Sequence, residues 1–214
     1  MKEQSNKLKE RYNSKVGKKY NVSFLPCVSV WKEKAYNASS LKIGDKVLVF
    51  CCGTGLDFPY IIKKIGKEGQ IVGVDFSSEM LSKAKDRIIE NKWANIELIE
   101  ADITTFKDKL DKDFDVAVCT LGLSIIPDFR SAFYNLLSYV KKNGEIIIGD
   151  AQLISGILSF LNILIVFSTL KYGGTFKGYN NSKELYSLMK KELNGVIKKD
   201  LFLKSYYYCI GKVR

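Results

Sequence analysis

Short apolar runs rich in β-branched residues alternate with amphipathic stretches from residue 44 to the end of the chain. The apolar runs predict seven strands, over residues 46–50, 71–75, 96–100, 114–119, 144–149, 196–203 and 205–213. The stretches between them predict helices over residues 57–65, 77–91, 129–140 and 182–192. Such alternation is typical of an α/β fold with a mostly parallel sheet covered by helices on both faces. The short connection between the last two runs predicts an antiparallel final pair.

Residues 1–43 differ from the rest because they are basic and precede the first predicted strand. They contain five aromatic residues spread among the charges: Tyr12, Tyr20, Phe24, Trp31 and Tyr36. Ligands of doubly wound sheets bind beyond the carboxyl ends of the strands. We therefore expect residues 1–43 to form a helical lid over that edge, and residues 44–214 to form the α/β domain.

An uncharged stretch of 18 residues, 153–170, interrupts the second half of this domain. Its length is at the lower limit for a membrane-spanning helix. Ser155, Gly156, Ser159 and Asn162 weaken that interpretation, and no cluster of positive charge flanks the stretch. We expect a buried or interfacial helix within an apolar cap insertion at about residues 151–180.

The composition excludes several kinds of chemistry. No histidine occurs among the 214 residues, which excludes Ser-His-Asp and Cys-His nucleophile systems and the usual zinc and iron sites, so no metal site is predicted. Five cysteines without a C-x-x-C pair, and a polar start without a signal-peptide pattern, predict buried thiols in a cytoplasmic protein. The net charge of +11 favours an anionic partner such as a membrane surface.

A Gly-x-Gly turn, Gly53-Thr54-Gly55, follows the first predicted strand. Glycines at such a corner let the backbone approach a ligand closely. Asp75 ends the second strand, where a carboxylate can accept hydrogen bonds from a ribose diol, and Asp102 follows the third strand, where it can accept the amino group of an adenine. Phe76 and Met80 are placed to pack on the purine, so three strand ends are predicted to meet at a nucleoside.

Two alternatives compete with this interpretation. A dinucleotide cofactor would need a small residue where Phe58 stands, because the helix packs closely behind a pyrophosphate. The bulk of Phe58 therefore favours a ligand without phosphates. Alternatively, the carboxylates at the strand ends are simply solvated.

The same residues resemble the motifs of class I methyltransferases over nearly the whole chain: Gly53-Thr54-Gly55, Val74-Asp75-Phe76-Ser77 and Glu100-Ala101-Asp102. The resemblance implies a Rossmann-like seven-stranded sheet with an antiparallel last strand. It also implies S-adenosylmethionine as cofactor, with S-adenosylhomocysteine as product. The implied cofactor-binding residues are Phe50, Cys51, Gly53, Thr54, Gly55, Asp75, Phe76, Met80, Asp102, Ile103 and Thr120.

Two shorter stretches resemble bacterial phospholipid N-methyltransferases, namely residues 53–59 and residues 119–128. A resemblance to quinone-biosynthesis methyltransferases is broader. The chain departs from the class at two positions, because Val49 stands where an acidic residue usually anchors the methionine part of the cofactor, and Cys51 replaces a glycine. Asp57, at the start of the next helix, is a candidate to compensate for the missing acid.

Methyl transfer from a sulfonium requires mainly in-line positioning, so the absence of histidine is no obstacle. Tyr12 and Tyr20 of the lid are the candidate catalytic residues, with hydroxyls that could orient an acceptor. Candidate substrate residues are Ser124, Asp150, Tyr172 and Tyr179.

The leading hypothesis for the acceptor is a lipid amine or similar hydrophobic molecule, because an apolar cap and a basic surface suit an amphiphile in an anionic bilayer, with which the protein would associate peripherally. The alternatives are a soluble metabolite or quinone precursor, and a non-catalytic cofactor-binding module. Nucleic acid is not an expected partner, because Thr120-Leu121-Gly122-Leu123 stands where an N/D-P-P-Y/F motif would be needed. The oligomeric state is undecided.

Overall fold

The seven predicted strands form one sheet in the order β3-β2-β1-β4-β5-β7-β6. The computed structural model describes residues 2–14, 17, 20, 26–107 and 110–214. All pairings from β3 through β5 are parallel, whereas β7 is antiparallel to both of its neighbours. This confirms the predicted Rossmann-like sheet. The strands are β1 (Lys46–Phe50), β2 (Gln70–Asp75), β3 (Ile96–Glu100), β4 (Phe114–Thr120), β5 (Val140–Ala151), β6 (Leu193–Leu201) and β7 (Tyr206–Val213).

Alternate residues of the central strands point into two separate hydrophobic cores, as the period of a strand requires. In β1, Leu48 and Phe50 join one core, whereas Val47 and Val49 join the other. Within the described part of the chain, the helices that flank the sheet are α2 (Pro26–Ala38), α3 (Phe58–Ile65), α4 (Ser78–Glu90), α5 (Phe129–Ser138) and α7 (Phe176–Glu192). Helices α5 and α7 cover the first core and α2, α3 and α4 the second, so both faces are buried.

The N-terminal region divides into two parts with different positions. Helix α1 (Lys2–Tyr12) lies beside the cavity at the carboxyl ends of the strands. Helix α2 instead covers a face of the sheet, where Trp31 is fully buried and donates from Nε1 to the carbonyl of Tyr207 at 3.0 Å. Gly149 of β5 permits this packing, because a Cβ atom there would overlap the Trp31 ring. Phe24, another of the five aromatic residues in the predicted lid, lies outside the residues that the structure describes.

The two largest differences between predicted and observed element boundaries have local reasons. Helix α7 begins at Phe176 rather than at residue 182, because the hydroxyl of Thr175 accepts a hydrogen bond from the Gly178 amide and caps the helix. Strand β5 begins at Val140 rather than at residue 144, since Val140 already pairs with Phe114 before extra residues in β5 shift the register so that Val116 pairs with Glu145.

The uncharged stretch forms a cap between β5 and α7. It consists of a 3-10 helix (Ile157–Leu161), helix α6 (Asn162–Thr169) and a second 3-10 turn (Leu170–Tyr172). Among the described helices, none has both the length and the apolar content needed to cross a bilayer.

Candidate active site

A cavity of about 590 Å³ opens at the carboxyl ends of β1 to β4. Its walls come from the loops that follow these four strands and from helix α1, which covers one side. Parallel strands deliver their following loops to one edge of a sheet, so residues far apart in sequence meet here.

The Gly-x-Gly loop closes the cavity behind β1. Gly53 has a φ of +53°, and its amide donates to Oδ2 of Asp75 at 2.9 Å. Gly55 has a φ of +73° and leaves room for Phe58, whose ring a Cβ atom at this position would approach to 2.7 Å. Thus Phe58 packs beneath the loop and occupies the space that close helix packing behind a pyrophosphate would require.

Asp75 is the central carboxylate of the cavity. Its other oxygen, Oδ1, accepts from the Ser77 amide at 3.0 Å, and burial raises its pKa to about 6. An ionised carboxylate offers about four lone-pair positions, of which the two backbone amides use two. Asp75 lines the cavity, so its carboxylate could accept further hydrogen bonds there from the hydroxyls of a ribose, and the residues present suit a nucleoside.

Helix α1 is attached to the loop after β3 by polar contacts. Ser5 donates to Oδ2 of Asp102 at 3.0 Å, while Oδ1 of Asp102 accepts from the amide and hydroxyl of Thr104. Lys9 and Glu100 form an ion pair at 2.8 Å nearby. The Ser5 hydroxyl thus already donates to the Asp102 oxygen to which an adenine amino group would also donate.

Three tyrosines pack on one another at the cavity, and two of them, Tyr12 and Tyr20, line it. Tyr12 and Tyr20 pack edge to face at 5.7 Å between ring centroids, and Tyr20 packs in the same way on Tyr172 at 5.2 Å. The Tyr12 hydroxyl donates to the carbonyl of Tyr172 at 2.8 Å. Desolvation by burial raises the pKa of both Tyr12 and Tyr20 well above the ordinary value, so both phenols stay protonated at neutral pH.

Cys51 occupies a position that favours glycine for a structural reason. Its φ is +53°, in the left-handed region that residues with a side chain avoid. Its thiol fits because Gly122 lies opposite; a Cβ atom at Gly122 would be 2.5 Å from Cys51 Sγ. The departure from the class at residue 51 is therefore accommodated by the absence of a side chain at residue 122.

A buried polar network stands directly behind the cavity. Oδ1 of Asp57 accepts from Lys32 Nζ and from the Tyr36 hydroxyl, both at 2.6 Å. Oδ2 of Asp57 accepts from the Thr120 hydroxyl at 2.7 Å, and Lys32 also reaches Thr120. Of these residues only Thr120 lines the cavity, so Asp57 is connected to a ligand through Thr120 and not by direct contact. Val49, where the class has an acid, is fully buried.

The structure brings most of the predicted cofactor residues together. Those that line the cavity are Cys51, Gly53, Asp75, Phe76, Met80, Asp102, Ile103 and Thr120. Phe50 lies in the core, and Thr54 and Gly55 shape the loop without lining the cavity. Tyr12 and Tyr20 both line it.

The predicted substrate residues are placed differently. Tyr172 borders the cavity through its contacts with Tyr12 and Tyr20. Ser124 and Asp150 bind each other instead, because Oδ1 of Asp150 accepts from the Ser124 hydroxyl at 2.7 Å and Oδ2 accepts from its amide. Tyr179 is buried in the cap, where its hydroxyl donates to Thr169 at 2.6 Å. This geometry gives Ser124, Asp150 and Tyr179 structural contacts and does not favour direct contact with a substrate.

Sequence reasoning missed two parts of the lining. Ser5, Asn6 and Leu8 come from the polar helix α1, whose sequence carries no signal for a ligand site. The loop after β4 contributes an apolar wall formed by Leu121, Gly122, Ile125, Ile126 and Pro127. In the sequence, this loop is recognisable as an uncharged run that ends at a proline.

Comparison with known proteins gives consistent matches. A family model described as a methyltransferase domain matches residues 41–200. A 2-phytyl-1,4-naphtoquinone methyltransferase of Nostoc sp. is 34% identical over 122 residues, which is 56% of this chain and 53% of the relative. A demethylmenaquinone methyltransferase of Bacillus cereus is 28% identical over 180 residues, covering 79% of this chain and 74% of the relative.

Solved structures share the fold. A SAM-dependent methyltransferase from Aquifex aeolicus superposes with a TM-score of 0.70 at 18% identity, over 94% of this chain and 98% of that one. The match to the Nostoc relative, by contrast, spans about half of that protein's length.

Proposed function

Since this chain belongs to the family of S-adenosylmethionine-dependent class I methyltransferases, we propose that it methylates a ring carbon of a reduced, naphthoquinone-type acceptor. The observation that carries the proposal is the two-sided cavity, with carboxylates at the ends of β2 and β3 and an apolar wall after β4. A nucleoside suits the first side, and a hydrophobic ring suits the second.

The proposed acceptor replaces the lipid amine that the two shorter motifs suggested. The named relatives act on naphthoquinones, as their names state, which supports a quinone-type acceptor over an amine. The apolar lining residues of the loop after β4 also suit a flat uncharged ring.

Asp75 and Asp102 would hold the nucleoside, the first through the ribose hydroxyls and the second through the adenine amino group. When bound, the cofactor supplies an electrophilic methyl on a sulfonium. The loops after β1 and β4 and the rings of Tyr12 and Tyr20 would enclose both reactants and exclude water. Holding the reacting atoms in line contributes on the order of 7–11 kcal/mol to catalysis.

The proposed chemistry needs a reduced acceptor, because a quinone ring is electron-poor and a quinol ring is electron-rich. A bond forms between the ring carbon and the methyl, the sulfur–methyl bond breaks with its electron pair going to sulfur, and the methylated ring carbon loses its proton to bulk water after the product leaves the enclosed cavity. Tyr12 already donates its proton to the carbonyl of Tyr172, so its oxygen is left to accept a hydrogen bond from a quinol hydroxyl. Since its raised pKa keeps it protonated, Tyr12 would position the acceptor and not deprotonate it.

The cofactor part of the proposal is tested by calorimetric titration with S-adenosylmethionine, S-adenosylhomocysteine and NAD. We expect micromolar binding of the two sulfur nucleosides and none of NAD. Asp75→Ala removes two charge-assisted hydrogen bonds and should weaken binding by about a hundredfold or more. Asp86→Asn, an exposed change on α4, is the matched control. Equal affinity in the wild type and Asp75→Ala would refute the assigned site.

The acceptor part is tested by mass spectrometry of reactions with prenylated naphthoquinol, the oxidised quinone and phosphatidylethanolamine. We expect a single added methyl on the quinol only. Methylated phosphatidylethanolamine would favour the lipid-amine alternative, and cofactor binding without any methylated product from these acceptors would overturn the proposed acceptor class.

A further inference from the structure

The cap exposes a group of large apolar side chains on its outer side. The exposed fractions are 94% for Ile157, 64% for Phe160 and 75% for Phe167, and Ile163 and Leu164 are each 66% exposed. We call these five residues the cap surface. Contiguous apolar patches of this kind on a protein surface mark interaction sites.

The orientation of helix α6 is fixed by contacts on its inner side. Asn162 is buried and exchanges two hydrogen bonds of 2.8 Å with the backbone of Ile154. Val166 packs inward on Ala151 and Tyr179. The polar side chain therefore faces the protein and Ile163, Leu164 and Phe167 face outward, which is the reverse of an ordinary surface helix. The exposure of the cap surface is thus built into the fold.

The charged residues within the cap segment itself are all positive. Between Asp150 and Glu184 the chain contains three lysines and no carboxylate. Lys171 and Lys177 are both exposed. Arg11 of α1 is also exposed and donates to the carbonyl of Leu170 at 3.0 Å.

The cap adjoins the cavity through the 3-10 turn Leu170–Tyr172. The carbonyl of Tyr172 accepts from the hydroxyl of Tyr12, and the Tyr172 ring packs on Tyr20, both of which line the cavity. Next along the chain, Gly173 lies beside Leu8 and Ile125, two further lining residues. An apolar molecule held at the cap surface is therefore close to the apolar side of the cavity.

We propose that the cap surface docks the protein onto an anionic lipid bilayer, with the apolar side chains inserted at the interface and the basic residues over the headgroups. Anionic leaflets attract such basic residues, and apolar side chains on a short helix add insertion energy. The net charge of +11 acts in the same direction. A second copy of the chain is a poorer occupant, because a two-fold interface would bring Lys171 and Lys177 toward their own counterparts.

The test is co-sedimentation with vesicles of phosphatidylglycerol and phosphatidylcholine in equal parts, and with vesicles of phosphatidylcholine alone. We expect binding to the anionic vesicles, and at least about tenfold weaker binding for Ile163→Gln/Phe167→Gln, because both side chains would leave the interface. The matched control is Ile89→Gln on α4, which removes an equally exposed isoleucine from another part of the surface (64%) and should bind as the wild type does. Lys171→Gln/Lys177→Gln should weaken binding to the anionic vesicles by about fivefold for each lysine.

Neither cofactor nor acceptor is present in this assay, so its outcome is independent of the proposed function. Equal binding by the wild type and Ile163→Gln/Phe167→Gln would overturn the docking surface. A wild-type dimer in sedimentation equilibrium that dissociates in the same variant, without vesicle binding by the wild type, would assign the cap surface to a second copy instead.

Discussion

The strand ends and the cap depart in opposite ways from the usual distribution of polar and apolar residues. Behind the strand ends, Lys32, Asp57 and Thr120 are buried, with exposed fractions of 4%, 3% and 7%. In the cap, Ile157 and Phe167 are largely exposed. Burying charges is costly unless they are paired, and exposing large apolar groups forgoes the free energy of burial. The buried charges therefore need partners close by, whereas the exposed apolar side chains of the cap point to an apolar partner outside the chain.

The two regions also differ in how completely their groups are satisfied within the chain. At the strand ends each polar side chain has partners at 2.6–2.7 Å, so the arrangement is stable before any ligand binds. The exposed apolar side chains of the cap are covered by no other part of the chain that the structure describes. Stability thus depends on the first region, whereas the second is free to serve an interaction.

The largest effect is expected from Lys32→Met, which leaves the Asp57 carboxylate buried without its cation. Removing one partner of a buried pair costs about 3–5 kcal/mol of unfolding free energy. Urea unfolding should show this loss, and Lys32→Met/Asp57→Asn should recover most of it because the unpaired charge is gone. Lys34→Met, an exposed change on the same helix, should be close to neutral. A loss below about 1 kcal/mol for Lys32→Met would mean that the pair does not stabilise the strand ends.

The next largest effect is expected from Gly122→Ala, which places a methyl against the Cys51 thiol. Overpacking of this kind costs about 1–3 kcal/mol. Because the clash needs the side chain of residue 51, the same change in a Cys51→Gly background should cost much less. Urea unfolding of the four proteins gives the coupling energy. Additive effects would show that Gly122 does not accommodate Cys51.

A smaller effect is expected from pH, through the raised pKa of Asp75. Protonation below a pKa of about 6 removes the charged acceptor, so the dissociation constant for S-adenosylhomocysteine should rise about tenfold between pH 7 and pH 5. The sign for stability is opposite: the folded state holds this proton more tightly than the unfolded chain, whose pKa is near 3.8. Protonation of Asp75 therefore increases the free energy of unfolding as the pH falls from about 6 toward 3.8. Weaker ligand binding at low pH would thus not be caused by a loss of stability at Asp75.

Calorimetry at several pH values, with thermal unfolding measured in parallel, checks this expectation. Asp75→Ala serves as the control, since the residual affinity of this variant for S-adenosylhomocysteine should not change between pH 7 and pH 5. A dissociation constant that stays constant from pH 7 to pH 5 would argue against ligand contact by the Asp75 carboxylate.

The smallest effect is expected in the cap. Ile163→Gln/Phe167→Gln should change the unfolding free energy by no more than about 0.5 kcal/mol, because neither side chain is buried and glutamine is a good helix former. Urea unfolding without lipid is the measurement. A loss of more than about 2 kcal/mol would show that these side chains pack on the protein, and would remove the contrast between the two regions.

The sheet and most of the cofactor side were predictable, because both depend on residues close in sequence. Residues 46–50 and 96–100 were predicted with the bounds of β1 and β3. Strand β1 is a buried apolar run, whereas β3 at the edge of the sheet carries two glutamates among its apolar residues and is recognised by the polar turns that flank it. Gly53 lies in the turn after β1 and Asp75 is the last residue of β2, so predicting the strands also predicted that these two residues would meet. The acceptor side was predicted less well, because Ser124 and Asp150 looked available in sequence but bind each other.

The order and spacing of residues alone determined that this chain forms a mostly parallel sheet with carboxylates at one edge, since strand period and strand direction are local properties. Only the tertiary structure decided that Lys32 pairs with Asp57, 25 residues further along the chain, and that the Cys51 side chain fits because Gly122 has no side chain. It also decided that α2 covers a face of the sheet while α1 covers the cavity, and that α6 turns its polar side chain inward. Each of these four features depends on contacts between segments that are distant in sequence. The energy of such a contact is set by the two groups that meet, and the local sequence pattern around each group does not reveal it.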